Sequence, residues 1–159
     1  MFLDPLPDTK HTRRNLPYLI AAAEHLRAID QLAREVIPCP HLPNLPPSGE
    51  TLAAIDDFNV MADQVGKDVR YRSACGCHVA AHPRLLASRE LAFTLWSSAY
   101  TETLFRANYR THRSRRSMPL HVERLRRHRA TFEQLVTGYR AGASEALAAH
   151  NHLVPAHLH

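Results

Sequence analysis

Two histidines, His128 and His150, stand 22 positions apart near the end of this chain, and each falls on the apolar stripe of an expected helix. Val122, Leu125, Phe132 and Leu135 recur at helical spacing around His128, and Ala143, Leu147 and Val154 recur around His150. Residues three, four and seven apart share a helix face. Gly138 lies ten residues after His128 and twelve before His150, and reads as the stop between two helices. A chain that folds back there brings both imidazoles to one height of an antiparallel hairpin. Imidazoles turned into a small helical core suit a bound ligand or metal. Taken singly, each histidine also suits a hydrogen-bonded core position.

Such a pair needs a third partner. Asp68 opens a helical segment and precedes Tyr71 and Cys75 on its face or its border, and Arg72 lies four residues on, on that same face. Asp68, His128 and His150 would form a two-imidazole, one-carboxylate set suited to Zn, Ni, Mn or Fe. The plain alternative is a surface ion pair between Asp68 and Arg72, worth little. The run Cys75, Gly76, Cys77, His78 lacks the two-residue spacer of haem attachment and the second pair of a zinc ribbon, so packing cysteines are expected.

The elements that must position these residues are helical. Residues 1–14 read as an arm or linker, and residues 15–159 as one helical domain. Asn15 is the expected cap of a helix to about residue 37, with Pro17 in its first turn. Prolines 38, 40, 43, 46 and 47 make an extended connector. Ser48 restarts helix to about Val65, with Gly66 a break or a tolerated glycine. Asp68 to about His82 is helical again. Leu85 to about Tyr109 is a long helix, and an arginine-rich loop leads to the hairpin. The fold class is all-α, an antiparallel bundle of about six helices.

Composition agrees. Among 159 residues, apolar types make up 45% and charged types 22%, so one soluble domain with a real core is expected. No run approaches the roughly 20 apolar residues of a membrane span, and the N-terminus lacks the pattern of a signal peptide. The net charge of +5 permits nucleic-acid contact, but the arginines between 106 and 129 read as a solvated loop and helix without a recognition element. Three cysteines cannot all pair, which fits a reducing cytoplasm.

From Asp68 to His150 the order of features resembles the FCD domain, the effector-binding domain of the FadR subfamily of GntR-type bacterial transcription regulators. The resemblance rests on Asp68, the Ala81-His82-Pro83-Arg84-Leu85 turn, the long helix through Trp96, His128-Arg129-Ala130, and His150, and it covers more than half of the chain. It implies a ligand-sensing domain that binds a small carboxylate ligand, forms a homodimer and performs no catalysis. It also implies DNA contact only through a winged-helix domain, for which residues 1–14 are too few.

One departure is Arg72. Metal-binding members of that family carry a histidine there, completing one Asp and three His. A guanidinium cannot ligate a metal. Either a three-ligand site of Asp68, His128 and His150 survives, or Arg72 takes the metal's place and binds the ligand's carboxylate bidentately. The ligand-binding set is then Arg72, Asp68, His128 and His150. Two rival functions remain: a metalloenzyme on the same residues, with Glu24, His25 or His78 as acid or base, and a dimerisation domain that binds nothing.

Overall fold

The computed structural model describes residues 4–37, 45, 47–71, 83–109 and 117–153, and side chains throughout these except 68–71, 109 and 143–153. Four α-helices and one 3-10 turn make up the described chain: α1 (Lys10–Val36), the 3-10 turn (Gly49–Leu52), α2 (Ile55–Tyr71), α3 (Pro83–Tyr109) and α4 (Ser117–Leu153). No strand occurs among the described residues. The all-α class is as expected. The bundle has four described helices where about six were expected.

The body is three long helices. Asn15 meets Thr103 and Asp30 meets Arg89, so α1 and α3 run antiparallel. Glu102 meets His121 and Ser88 meets His128, so α3 and α4 run antiparallel as well. Arg140 of α4 reaches Glu35 of α1 at 2.8 Å, consistent with a parallel pair. Leu19, Leu26, Ile29, Trp96, Leu125 and Phe132 are fully buried between them. Each such side chain stabilises the fold by about 1.5–3 kcal/mol relative to exposure. The Phe58 ring of α2 lies 6.2 Å from Trp96 and 6.1 Å from Tyr100 of α3, which docks α2 on the body.

Helix α1 begins five residues before Asn15. Thr9 caps it, accepting from Thr12 N at 3.2 Å. Asn15 is instead buried, donating towards Thr103 Oγ1. Nor is the segment before it a free arm. Leu6 is buried, and its backbone N–H and C=O both pair with the Asn59 amide of α2. Pro17 lies inside α1, beyond its first turn. Helix α2 passes through Gly66 to Tyr71, so that glycine is tolerated and not a break. Most of the proline-rich connector, residues 72–82 and the arginine-rich loop 110–116 lie outside the described residues.

The main correction concerns α4. It is one helix of 37 residues, Ser117–Leu153, running through Gly138 and Gly142 without a turn. A Cβ placed on either glycine would meet nothing within 4 Å. Glycine inside an exposed helix costs only about 1 kcal/mol against alanine, too little to stop a helix whose inner face is well packed up to that point. Leu125, Phe132 and Val136 supply that packing up to the level of Gly138.

Candidate functional site

The continuous α4 separates the two histidines. Twenty-two residues at 1.5 Å each place His128 and His150 about 33 Å apart along one helix. They therefore do not face one another across a hairpin, and one ion or small ligand does not touch both within a chain. The side chains of Asp68 and His150, and Arg72 altogether, lie outside the described residues, as do Cys75, Cys77 and His78. Among the described residues, no three His, Cys, Asp or Glu side chains come together as a metal site.

His128 does turn into the interface with α3. Its Nε2 donates to the Ser88 backbone oxygen at 2.6 Å and stands 3.2 Å from Ser88 Oγ. Ser88 lies one turn into the packed part of α3, and the next residue carries a feature that sequence reading passed over. Arg89 is 3% exposed and Asp30 is 1% exposed, so an ion pair sits in the core between α1 and α3.

The pair is tightly made. Arg89 Nη2 donates to Asp30 Oδ1 at 2.6 Å, and Arg89 Nε donates to the same oxygen at 3.2 Å. Arg34, one turn along α1, donates from Nε to the other oxygen, Oδ2, at 3.1 Å. The Arg89 guanidinium also lies 5.7 Å from the centroid of the Phe93 ring. Two guanidiniums thus share one carboxylate. Among the described residues Asp30 is the only acid that either arginine meets, leaving one excess positive charge at a mostly buried place. Arg34 is one-fifth exposed and connects the cluster to solvent.

A signal for these residues was present. Asp30 continues the inward spacing of Leu26 and Ala33, and Arg89 that of Leu85 and Trp96. A charged residue on an apolar stripe is the same anomaly that singled out His128.

Other polar side chains do different work. His25 is half-buried near α4, and its buried Nδ1 has no partner among the described residues. Burial lowers its pKa, and the charges of Arg129 and Arg126 lower it further. Glu24 accepts from the Gly49 backbone N–H and holds the 3-10 turn. Ser117 and His121 both approach Glu102, at 2.8 and 2.7 Å, so each bonds the carboxylate separately and they form no hydroxyl–imidazole–carboxylate relay.

No family model, curated protein or solved structure matches this chain. No helix among the described residues is long and apolar enough to cross a membrane.

Proposed function

We propose that this chain is an all-α ligand-sensing domain of the FCD kind, from a bacterial transcription regulator, and that it takes a small organic acid at the cluster of Asp30, Arg34 and Arg89. It works as a cytoplasmic homodimer and signals to a DNA-binding domain. The carrying observation is the charge imbalance between α1 and α3. Two guanidiniums on one buried carboxylate form a charge-assisted site with a positive charge to spare. A ligand carboxylate entering past Arg34 neutralises the excess. It also competes with Asp30 for a guanidinium, and so changes what ties α1 to α3. That competition supplies the difference in affinity between two helix arrangements that any sensor needs.

Thermal denaturation at constant ionic strength tests this, with acetate, succinate and citrate as probes and chloride as reference. Succinate or citrate is expected to raise the midpoint of the wild type. The rise should vanish in Arg34→Gln, and in Arg89→Lys, which keeps the charge but loses the two-pronged donor. A wild type that no carboxylate stabilises beyond chloride sinks the sensor reading and leaves the buried pair a purely structural feature.

A further inference from the structure

Asp4, Pro5, Leu6 and Pro7 lie outside every helix, yet they tie α2 to α3. Their backbone is extended by constitution. Asp4 and Leu6 each precede a proline, which disfavours the helical region, and the two proline rings fix φ at positions 5 and 7. Proline carries no N–H, so Leu6 holds the one amide donor of residues 5–7. That donor and the Leu6 carbonyl are both taken by a single side chain, the Asn59 amide, at 2.8 and 3.0 Å. Leu6 is 3% exposed, whereas Asp4 and Pro5 beside it are exposed. From α3, Tyr100 donates its hydroxyl to the Asp4 backbone oxygen at 2.5 Å and stands 3.3 Å from Asn59 Oδ1.

The same tyrosine belongs to the aromatic cluster. Its ring lies 5.7 Å from Trp96, and Phe58, the neighbour of Asn59 in α2, lies against both. This cluster has one unmet need. Trp96 Nε1 is buried without a partner among the described residues. An orphaned buried donor costs free energy that contact with water returns.

Two terms of opposite sign therefore meet here. One leucine and three backbone hydrogen bonds hold the segment down, and its prolines reduce the freedom that closing takes away. The indole beside it gains a partner when the segment and Phe58 move aside. A short, pre-extended segment with few contacts, set next to an unsatisfied part of the core, has the makings of a two-position device. Elements that open below the global unfolding free energy have this profile of few buried contacts.

We infer that residues 4–7 form a releasable strap that clamps α2 to α3 through Asn59 and Tyr100. Released, the strap frees α2 and lets water reach the Trp96 indole, while α1, α3 and α4 stay packed on Leu19, Leu26, Leu125 and Phe132. A partner that takes hold of the strap thereby acts on the bundle without touching its core. The device is separate from the carboxylate cluster. The strap reaches α3 at Tyr100, whereas Asp30 meets Arg89, about three turns earlier in that helix.

Amide hydrogen exchange of the full chain, followed by NMR without added carboxylate, tests the strap. In the wild type the Leu6 amide should open together with the amides of residues 59–62. Both should exchange about tenfold or more slower than a free peptide, and about a hundredfold or more faster than Leu26 and Ile29 of α1. Leu6→Ser should bring residues 59–62 to within about tenfold of the free-peptide rate and leave Leu26 and Ile29 slow. It should also move the emission of Trp96, the single tryptophan, to longer wavelength. Tyr100→Phe keeps the ring and removes the hydroxyl, and should speed exchange at Leu6 several-fold. A wild-type Leu6 amide as free as in a peptide shows no closed strap, and one as slow as Leu26 shows a fixed part of the core; either overturns the inference. A Leu6→Ser chain that fails to fold, or whose α2 stays as protected as α1, overturns it too. Unchanged exchange at Leu6 in Tyr100→Phe overturns the clamp to α3.

Discussion

Two carboxylates anchor the contacts of α3, and they do so in opposite ways. Asp30 is buried in the core, and both of its partners, Arg34 and Arg89, are permanently charged. Glu102, near the other end of α3, is about one-fifth exposed and is held by a hydroxyl, an imidazole and a guanidinium, from Ser117, His121 and Arg106. Burial raises the Glu102 pKa, but the hydrogen bonds from Ser117 and His121 outweigh it, and the carboxyl titrates below its ordinary range. The second arrangement is what a structural fastener looks like: neighbouring donors, all within one turn of where α3 gives way to α4, in a place that water still reaches. The first is costly. Taking two charges out of water is only partly repaid by their attraction, and hydrophobic replacements often serve stability equally well. A domain that keeps such a pair beside a third, partly exposed arginine has a reason to hold charge in its interior, and ligand recognition is the reason proposed above.

The largest expected effect separates these two anchors. Asp30→Ala strands Arg89 in the core and should cost about 3–5 kcal/mol in urea unfolding. Replacing both partners, as Asp30→Leu with Arg89→Met, should recover most of that loss while abolishing any response to carboxylates. Stability that stays as low in the double variant as in Asp30→Ala would show that the pair is needed for the fold itself.

A smaller effect belongs to Glu102. Glu102→Gln should cost about 1–2 kcal/mol at pH 7, the worth of a few partly exposed charge-assisted hydrogen bonds. The pH dependence has a definite sign. Because the folded pKa lies below the unfolded value near 4.5, the unfolded chain takes up its proton first as the pH drops. The carboxylate's contribution is complete above about pH 5 and is lost as pH falls through the folded pKa. The gap between wild type and Glu102→Gln, followed by urea unfolding from pH 7 to pH 3, should therefore close towards the acid end. His25 adds to the same trend from a higher pH. With its pKa lowered, it contributes stability above about pH 6.5 that falls away on acidification.

The smallest effect tests the helix that carries His128. Gly138→Ala should stabilise the protein by about 0.5–1 kcal/mol, since a helix-interior glycine with open space beside it gains from a methyl group. In a hairpin with Gly138 as a left-handed stop, the same change would destabilise instead. The sign of the shift in the thermal midpoint decides between a continuous α4 and a folded-back one.

Much of the architecture was legible in the sequence because it depends on neighbours a few residues apart. Apolar spacing predicted helix over the spans of α1, α2 and α3, and Pro83 stands at the first position of α3, where its missing N–H is harmless. The candidate site was read less well. His128 was picked from its place on an apolar stripe, and it does face α3. Asp30 and Arg89 sat on equally apolar stripes, yet a lone charge in a periodic pattern does not say whether it meets solvent or a partner 59 residues away.

The amino-acid sequence alone determined the helical class and the inward stripes, because helix periodicity and proline stops act locally. Only the tertiary structure decided that α4 continues through Gly138, for glycine merely lowers the helix preference there and packing against α1 and α3 settles the outcome. The meeting of Asp30 with Arg89, and of His128 with Ser88, was decided at the same level. Those contacts depend on the relative height of three helices, and that height follows from how their apolar faces interlock.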